Sequence, residues 1–140
     1  MEKRAAELLG ESVEAGCVIA TKGTISKMAL GGGGLVGGLI AGAIAATMKP
    51  PSTPANHRGF VYMAVGPTKV GFFSVKQGWF SNSVGDLLVQ HSRGDIAAMD
   101  VDGGMIPKIA VVLNDGTNYA LECGLILLGK AKKIKTALGK

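Results

Sequence analysis

A chain of 140 residues is sized for one domain, and a domain of about this length buries roughly two-thirds of its unfolded surface. At 47% apolar and 18% charged it excludes a disordered tail, and its two cysteines, Cys17 and Cys123, exclude a disulfide framework; both read as free thiols of a cytoplasmic protein. The net charge of +5 hides a block pattern: residues 1–14 sum to −2, residues 15–85 hold six cations and no carboxylate, residues 86–122 sum to −4, and residues 123–140 add five lysines.

Residues 2–9, Glu-Lys-Arg-Ala-Ala-Glu-Leu-Leu, predict a short helix stopped by Gly10. Residues 16–22, Gly-Cys-Val-Ile-Ala-Thr-Lys, predict a strand rich in branched side chains. No charged leader precedes the first apolar run, which begins at about residue 28, so a secretory signal is not expected.

Residues 28–48 are 21 uncharged residues fenced by Lys27 and Lys49, and Pro50, Pro51 and Pro54 prevent regular continuation. Gly34, Gly38, Gly42 and Ala46 recur every fourth residue. On a helix they form one flat face that lets another backbone approach, with Leu35 and Leu39 beside it. A spanning helix needs about 20 predominantly apolar residues. This segment has the length, but only six of its residues are Leu, Ile or Val and seven are Gly. A helix buried against the rest of the domain or in an oligomer interface, an interfacial or re-entrant membrane hairpin and a spanning helix all fit the pattern. Each is compatible with self-association into a homo-oligomer. The segment 28–54 is therefore read as a Gly-rich apolar insertion and Pro-rich linker within a single domain, 1–140.

Alternation then predicts β-structure. Residues 59–65 and 69–75 form a hairpin through Gly66-Pro67-Thr68, and residues 87–91 a short strand. Residues 95–101 form the next strand and end at Asp102-Gly103-Gly104. Residues 106–113 and 117–123 pair through Asn114-Asp115-Gly116, the clearest turn signal in the chain. From 125 to 138, Leu127, Ala131, Ile134 and Leu138 follow one helix face, and Lys130, Lys132, Lys133 and Lys135 fall on the remaining arc as a solvated face.

This order resembles the pleckstrin-homology-like superfold, particularly its small bacterial members. The residues that carry the resemblance are Gly59-Phe60-Val61-Tyr62-Met63-Ala64-Val65-Gly66-Pro67-Thr68-Lys69-Val70-Gly71-Phe72-Phe73, similar to that group's second and third strands. Asp95-Ile96 through Val101, Ile106 to Leu113, Asn114-Asp115-Gly116 and the closing helix resemble its later half. The resemblance implies a mainly β (α+β) fold, an antiparallel barrel or sandwich capped by a C-terminal helix. It also implies a non-catalytic module that binds lipids, peptides or copies of itself, although fold alone does not fix function.

Enzymatic motifs are weak. Gly32-Gly33-Gly34-Leu35-Val36-Gly37 matches a dinucleotide fingerprint by letter but lacks the ribose-binding acid about 20 residues on. His91 with Ser92 and Asp95 reads as a polar loop, and no Cys/His spacing suits zinc. Asp100-Val101-Asp102-Gly103-Gly104 reads as a turn rather than a calcium loop. No catalytic residue, cofactor or metal is assigned. The expected function is a self-associating scaffold that rests on an anionic membrane through Lys22, Lys27, Lys49, Arg58 and Lys69. The alternative is a nucleic-acid-binding domain that uses the carboxylate-free region 15–85 with Trp79 and Phe80 as stacking platforms.

Overall fold

The computed structural model describes residues 2–21, 52–77 and 82–139. The chain opens with helix α1 (Glu2–Leu9), ended by Gly10 at φ 84, a left-handed conformation that suits glycine. Strands follow as β1 (Ala15–Thr21), β2 (Phe60–Val65), β3 (Lys69–Gln77), β4 (Asn82–Ser92), β5 (Ile96–Asp102), β6 (Lys108–Leu113) and β7 (Asn118–Glu122). A single 3-10 turn at Leu125–Leu127 leads into helix α2 (Leu128–Leu138).

The strands form one antiparallel sheet in the order β4-β3-β2-β1-β7-β6-β5. Two hairpins expected from turn chemistry are present, β2–β3 and β6–β7. In the second, Gly116 stands at φ 92 and Asp115 Oδ1 accepts the Thr117 N–H at 2.8 Å. The sheet curls strongly. His91 on β4 and Tyr119 on β7 stand four strands apart in the order, yet Nε2 and the hydroxyl share a hydrogen bond of 2.9 Å. Phe72 on β3 meets the Tyr119 ring edge-on at 5.3 Å between centroids. Among the described residues β4 and β5 are the two edges and do not pair with each other. The observed architecture is thus mainly β with a C-terminal helix, a curled antiparallel sheet rather than a fully paired ring.

Helix α2 fills the concave side. Ala131, Ile134 and Leu138 are buried there with Ile19, Met63, Phe72, Met99, Ile109 and Leu121, and Leu127 is half-buried against the same cluster. The 3, 4 spacing read from the sequence is the face that is covered. Helix α1 covers part of the convex side, where Ala5 and Leu9 pack on Tyr62, Ala64, Phe73 and Val84. Because both sides of β2 and β3 are covered, Phe72 and Phe73 are each fully buried, on opposite faces. This explains why β2 is a continuous apolar run with no polar alternation.

Strand β4 is far longer than the short strand predicted at 87–91. Its pairing with β3 slips twice, between Phe72↔Val89 and Phe73↔Leu87, and between Phe73↔Leu87 and Val75↔Val84. Each slip sets extra β4 residues against β3, as in a β-bulge, and breaks the period-2 pattern. Ser74 holds the second, its Oγ accepting the Asp86 N–H at 2.8 Å.

Candidate anionic-surface interface

The cationic cluster expected from the sequence divides. Lys22, Lys27 and Lys49 lie outside the described residues, as do Gly34, Gly38, Gly42, Ala46, Leu35 and Leu39 of the small-residue segment, and Trp79 and Phe80. Arg58 is exposed just before β2. Lys69 opens β3, at the other end of the β2–β3 hairpin. At about 3.3 Å per strand residue the two stand on the order of 16 Å apart or more, so they do not form one site. Lys69 is also engaged. Its Nζ donates to the Leu9 carbonyl at 3.2 Å and so caps the C-terminus of α1, where the helix dipole favours a cation.

A second set of lysines does come together. The buried stripe of α2 fixes the helix rotation, and Lys130, Lys132 and Lys133 are left exposed around its outward arc. Lys135 is directed inward, its Nζ donating to the Met99 carbonyl on β5 at 2.6 Å. A groove of about 530 Å³ runs beneath this arc, lined by Glu2 of α1, Glu14, Gly16 of β1, and Lys130, Lys133 and Thr136 of α2. Glu14 is spent on Arg93, whose Nη1 donates to its Oε2 at 2.7 Å. The Thr136 hydroxyl is spent on its own helix, donating to the Lys132 carbonyl at 3.0 Å. Cys17 lies beneath α2, its thiol pushed up to about 11 by burial and then by Cys123, against the pull of Lys130. An un-ionised buried thiol is a poor nucleophile. The groove therefore offers charge and shape.

The N-terminal end of α2 carries the second element of the site. Among the described residues the exposed large apolar side chains are Met105 (89% exposed), Leu125 (60%) and Ile126 (96%). Their loops are neighbours: the Cys123 N–H donates to the Pro107 carbonyl at 3.0 Å, and a Cβ at Gly103 would stand 3.5 Å from the Leu128 side chain. All three thus project from one end of the molecule. Ile126 precedes Lys130 by four residues and Lys133 by seven, roughly 6–10 Å along a helix axis.

At the opposite rim a hollow of about 250 Å³ is lined by His91, Asp95, Leu113, Asn114 and Asp115. Burial pushes His91 below its ordinary value, against the opposing pull of Asp95 and Asp115. Burial, with Asp115, raises the Tyr119 hydroxyl. Both partners of the 2.9 Å hydrogen bond are thus biased toward their neutral forms. The polar loop predicted around His91 is in part a packed aromatic contact. Asp100 and Asp102 lie on β5, and among the described residues no group of three or more His, Cys, Asp or Glu is placed to hold a metal ion.

Sequence reasoning treated the α2 lysines as solvated surface and did not single out Met105, Leu125 or Ile126. The available signal was the adjacency of Leu125-Ile126 to Lys130, Lys132 and Lys133 without an intervening acid. Missing was the β5–β6 loop, which only the fold brings to the same end. Among the described residues no helix is long and apolar enough to cross a membrane. No family profile matches the sequence, and neither the curated proteins nor the solved structures show a significant likeness to it.

Proposed function

We propose that the chain is a non-catalytic binding module of pleckstrin-homology-like build that docks on an anionic surface through the outward arc of α2. The observation that carries this reading is the exposure of Lys130, Lys132 and Lys133 on one arc, beside the exposed Leu125 and Ile126. The strand order, with four meandering strands, three further strands and a closing helix on the concave side, supports the pleckstrin-homology-like part. The two acids facing the groove favour a surface that meets the ridge of lysines over a free anion that must enter beneath them. Self-association through Gly34, Gly38, Gly42 and Ala46 belongs to the same proposal on sequence grounds, and light scattering of Gly38→Leu tests it.

The test is co-sedimentation with vesicles of phosphatidylcholine alone and with added phosphatidylglycerol, at several salt concentrations. Binding is expected only with the acidic lipid and to weaken as salt rises. Each lysine near such a surface contributes about 1 kcal/mol, so Lys130→Gln/Lys132→Gln/Lys133→Gln is expected to lose roughly a hundredfold in affinity. Binding that ignores these three substitutions would remove the reading. Salt-sensitive retention on single-stranded DNA in place of vesicles would favour nucleic acid.

A further inference from the structure

We infer that the end of the molecule formed by Met105, Leu125 and Ile126 inserts into the bilayer, so that docking uses apolar wedges as well as charge. The inference rests on the anionic-surface reading and specifies the surface as lipid. Three large side chains at 60–96% exposure on neighbouring loops are costly in water, and all the described exposed large apolar residues fall at this one end. They lie outside the groove, on the β5–β6 loop and on the 3-10 turn that leads into α2. The lysines stand one to two helical turns behind Ile126, the offset expected when side chains sink past the headgroups and ammonium groups remain among the phosphates.

The charges nearby are mixed, with cations in the majority. Asp102 closes β5 at this end, opposite Lys108 in register, and Glu122 is bridged by Lys108 at 3.0 Å. Lys130, Lys132 and Lys133 outnumber the exposed acids Asp102 and Glu2, and Glu14 is paired with Arg93. Apolar insertion alone or three lysines alone would give weak, reversible attachment, and the two together multiply.

The experiment uses the full chain. Gly104→Cys, beside Met105 and with open space around it, is labelled with an environment-sensitive nitrobenzoxadiazole dye. Glu7→Cys on α1, across the sheet, is the control. Cys17 and Cys123 are buried, so the introduced thiol takes the label. With phosphatidylglycerol-containing vesicles the Gly104 probe is expected to brighten severalfold and shift to the blue, and the Glu7 probe to stay unchanged. In parallel, Leu125→Ser/Ile126→Ser is expected to bind these vesicles about tenfold or more weakly, with an unchanged melting temperature because both side chains are exposed. Vesicle binding with a silent Gly104 probe, or with full affinity in the double serine variant, would overturn insertion and leave charge-driven docking standing. Absence of binding to any acidic vesicle would overturn both.

Discussion

Arg93 is predicted to be a costly side chain to lose for one that is partly exposed. It sits in a 3-10 turn between β4 and β5, and its guanidinium joins three elements that are distant in sequence. Nη1 donates to Glu14 just before β1 and to the Gly66 carbonyl of the β2–β3 turn at 3.1 Å, and Nη2 donates to the Ala137 carbonyl in the last turn of α2. The ion pair is partly exposed, 26% for Arg93 and 46% for Glu14, and by itself contributes about 0.2–1 kcal/mol. The two bonds to carbonyls are charge-assisted, and with partial exposure each contributes about 1 kcal/mol. Arg93→Ala is therefore expected to cost roughly 2–3 kcal/mol, or about 6–12 °C in melting temperature for a chain of this length. Arg93→Lys keeps the charge but cannot reach three acceptors with a planar fork, and is expected to recover less than half of the loss. Glu14→Gln should cost no more than the ion pair. Urea denaturation and thermal melting by circular dichroism measure all three. A loss below about 0.5 kcal/mol for Arg93→Ala, or full recovery by lysine, would refute the three-way joint.

Three further expectations concern the sheet. The Glu11 carboxylate accepts the Thr68 hydroxyl at 2.6 Å and the N–H groups of Thr68 and Lys69 at 2.9 and 2.8 Å. The Thr68 hydroxyl, then the Thr68 and Lys69 N–H groups and the Lys69 charge, outweigh burial and lower its pKa. Its contribution is therefore complete above the ordinary value of 4.5 and is lost as pH falls through the lowered one, so urea midpoints of Glu11→Gln should lack that acid limb. His91 is also lowered, by burial, so the folded state resists its protonation and stability should decline as pH falls below 6.5, a window that opens at higher pH than that of Glu11; His91→Phe should flatten it. A Cβ at Gly71 would stand 2.8 Å from the buried Phe73 ring and 2.9 Å from Leu9, so Gly71→Ala should cost about 1–3 kcal/mol by wedging α1 off the sheet, and an unchanged urea midpoint would show that α1 is not seated there.

Much of the architecture was legible because its signals are local. Gly10 stops α1, Asn114-Asp115-Gly116 turns β6 into β7, and Ala131, Ile134 and Leu138 mark the covered side of α2. What escaped depends on partners distant in the chain. Strand β4 was obscured by its two bulges, which destroy the alternation that reveals a strand. Glu122 counts in the sequence as one more surface acid, yet it is fully buried and bridged by Lys108 across the β6–β7 pair. The site was the least legible part. Arg58 and Lys69 stand close in sequence but at opposite ends of a hairpin. Met105 lies twenty residues from Leu125 and reaches the same end only through the β5–β6 turn.

The pairing of β1 with β7 has a consequence for how the chain matures. The meander β1 to β4 needs only residues up to Ser92, but the other edge of β1 finds its partner at Leu121 and Glu122, about a hundred positions later. During synthesis the outer edge of the first strand at Ala20 and Thr21 must therefore wait for its partner until β7 has left the ribosome. Long-range closures of this kind fold slowly, and an open edge is a template for association between nascent chains. A ribosome-bound fragment ending before β7 would be the species most in need of a chaperone.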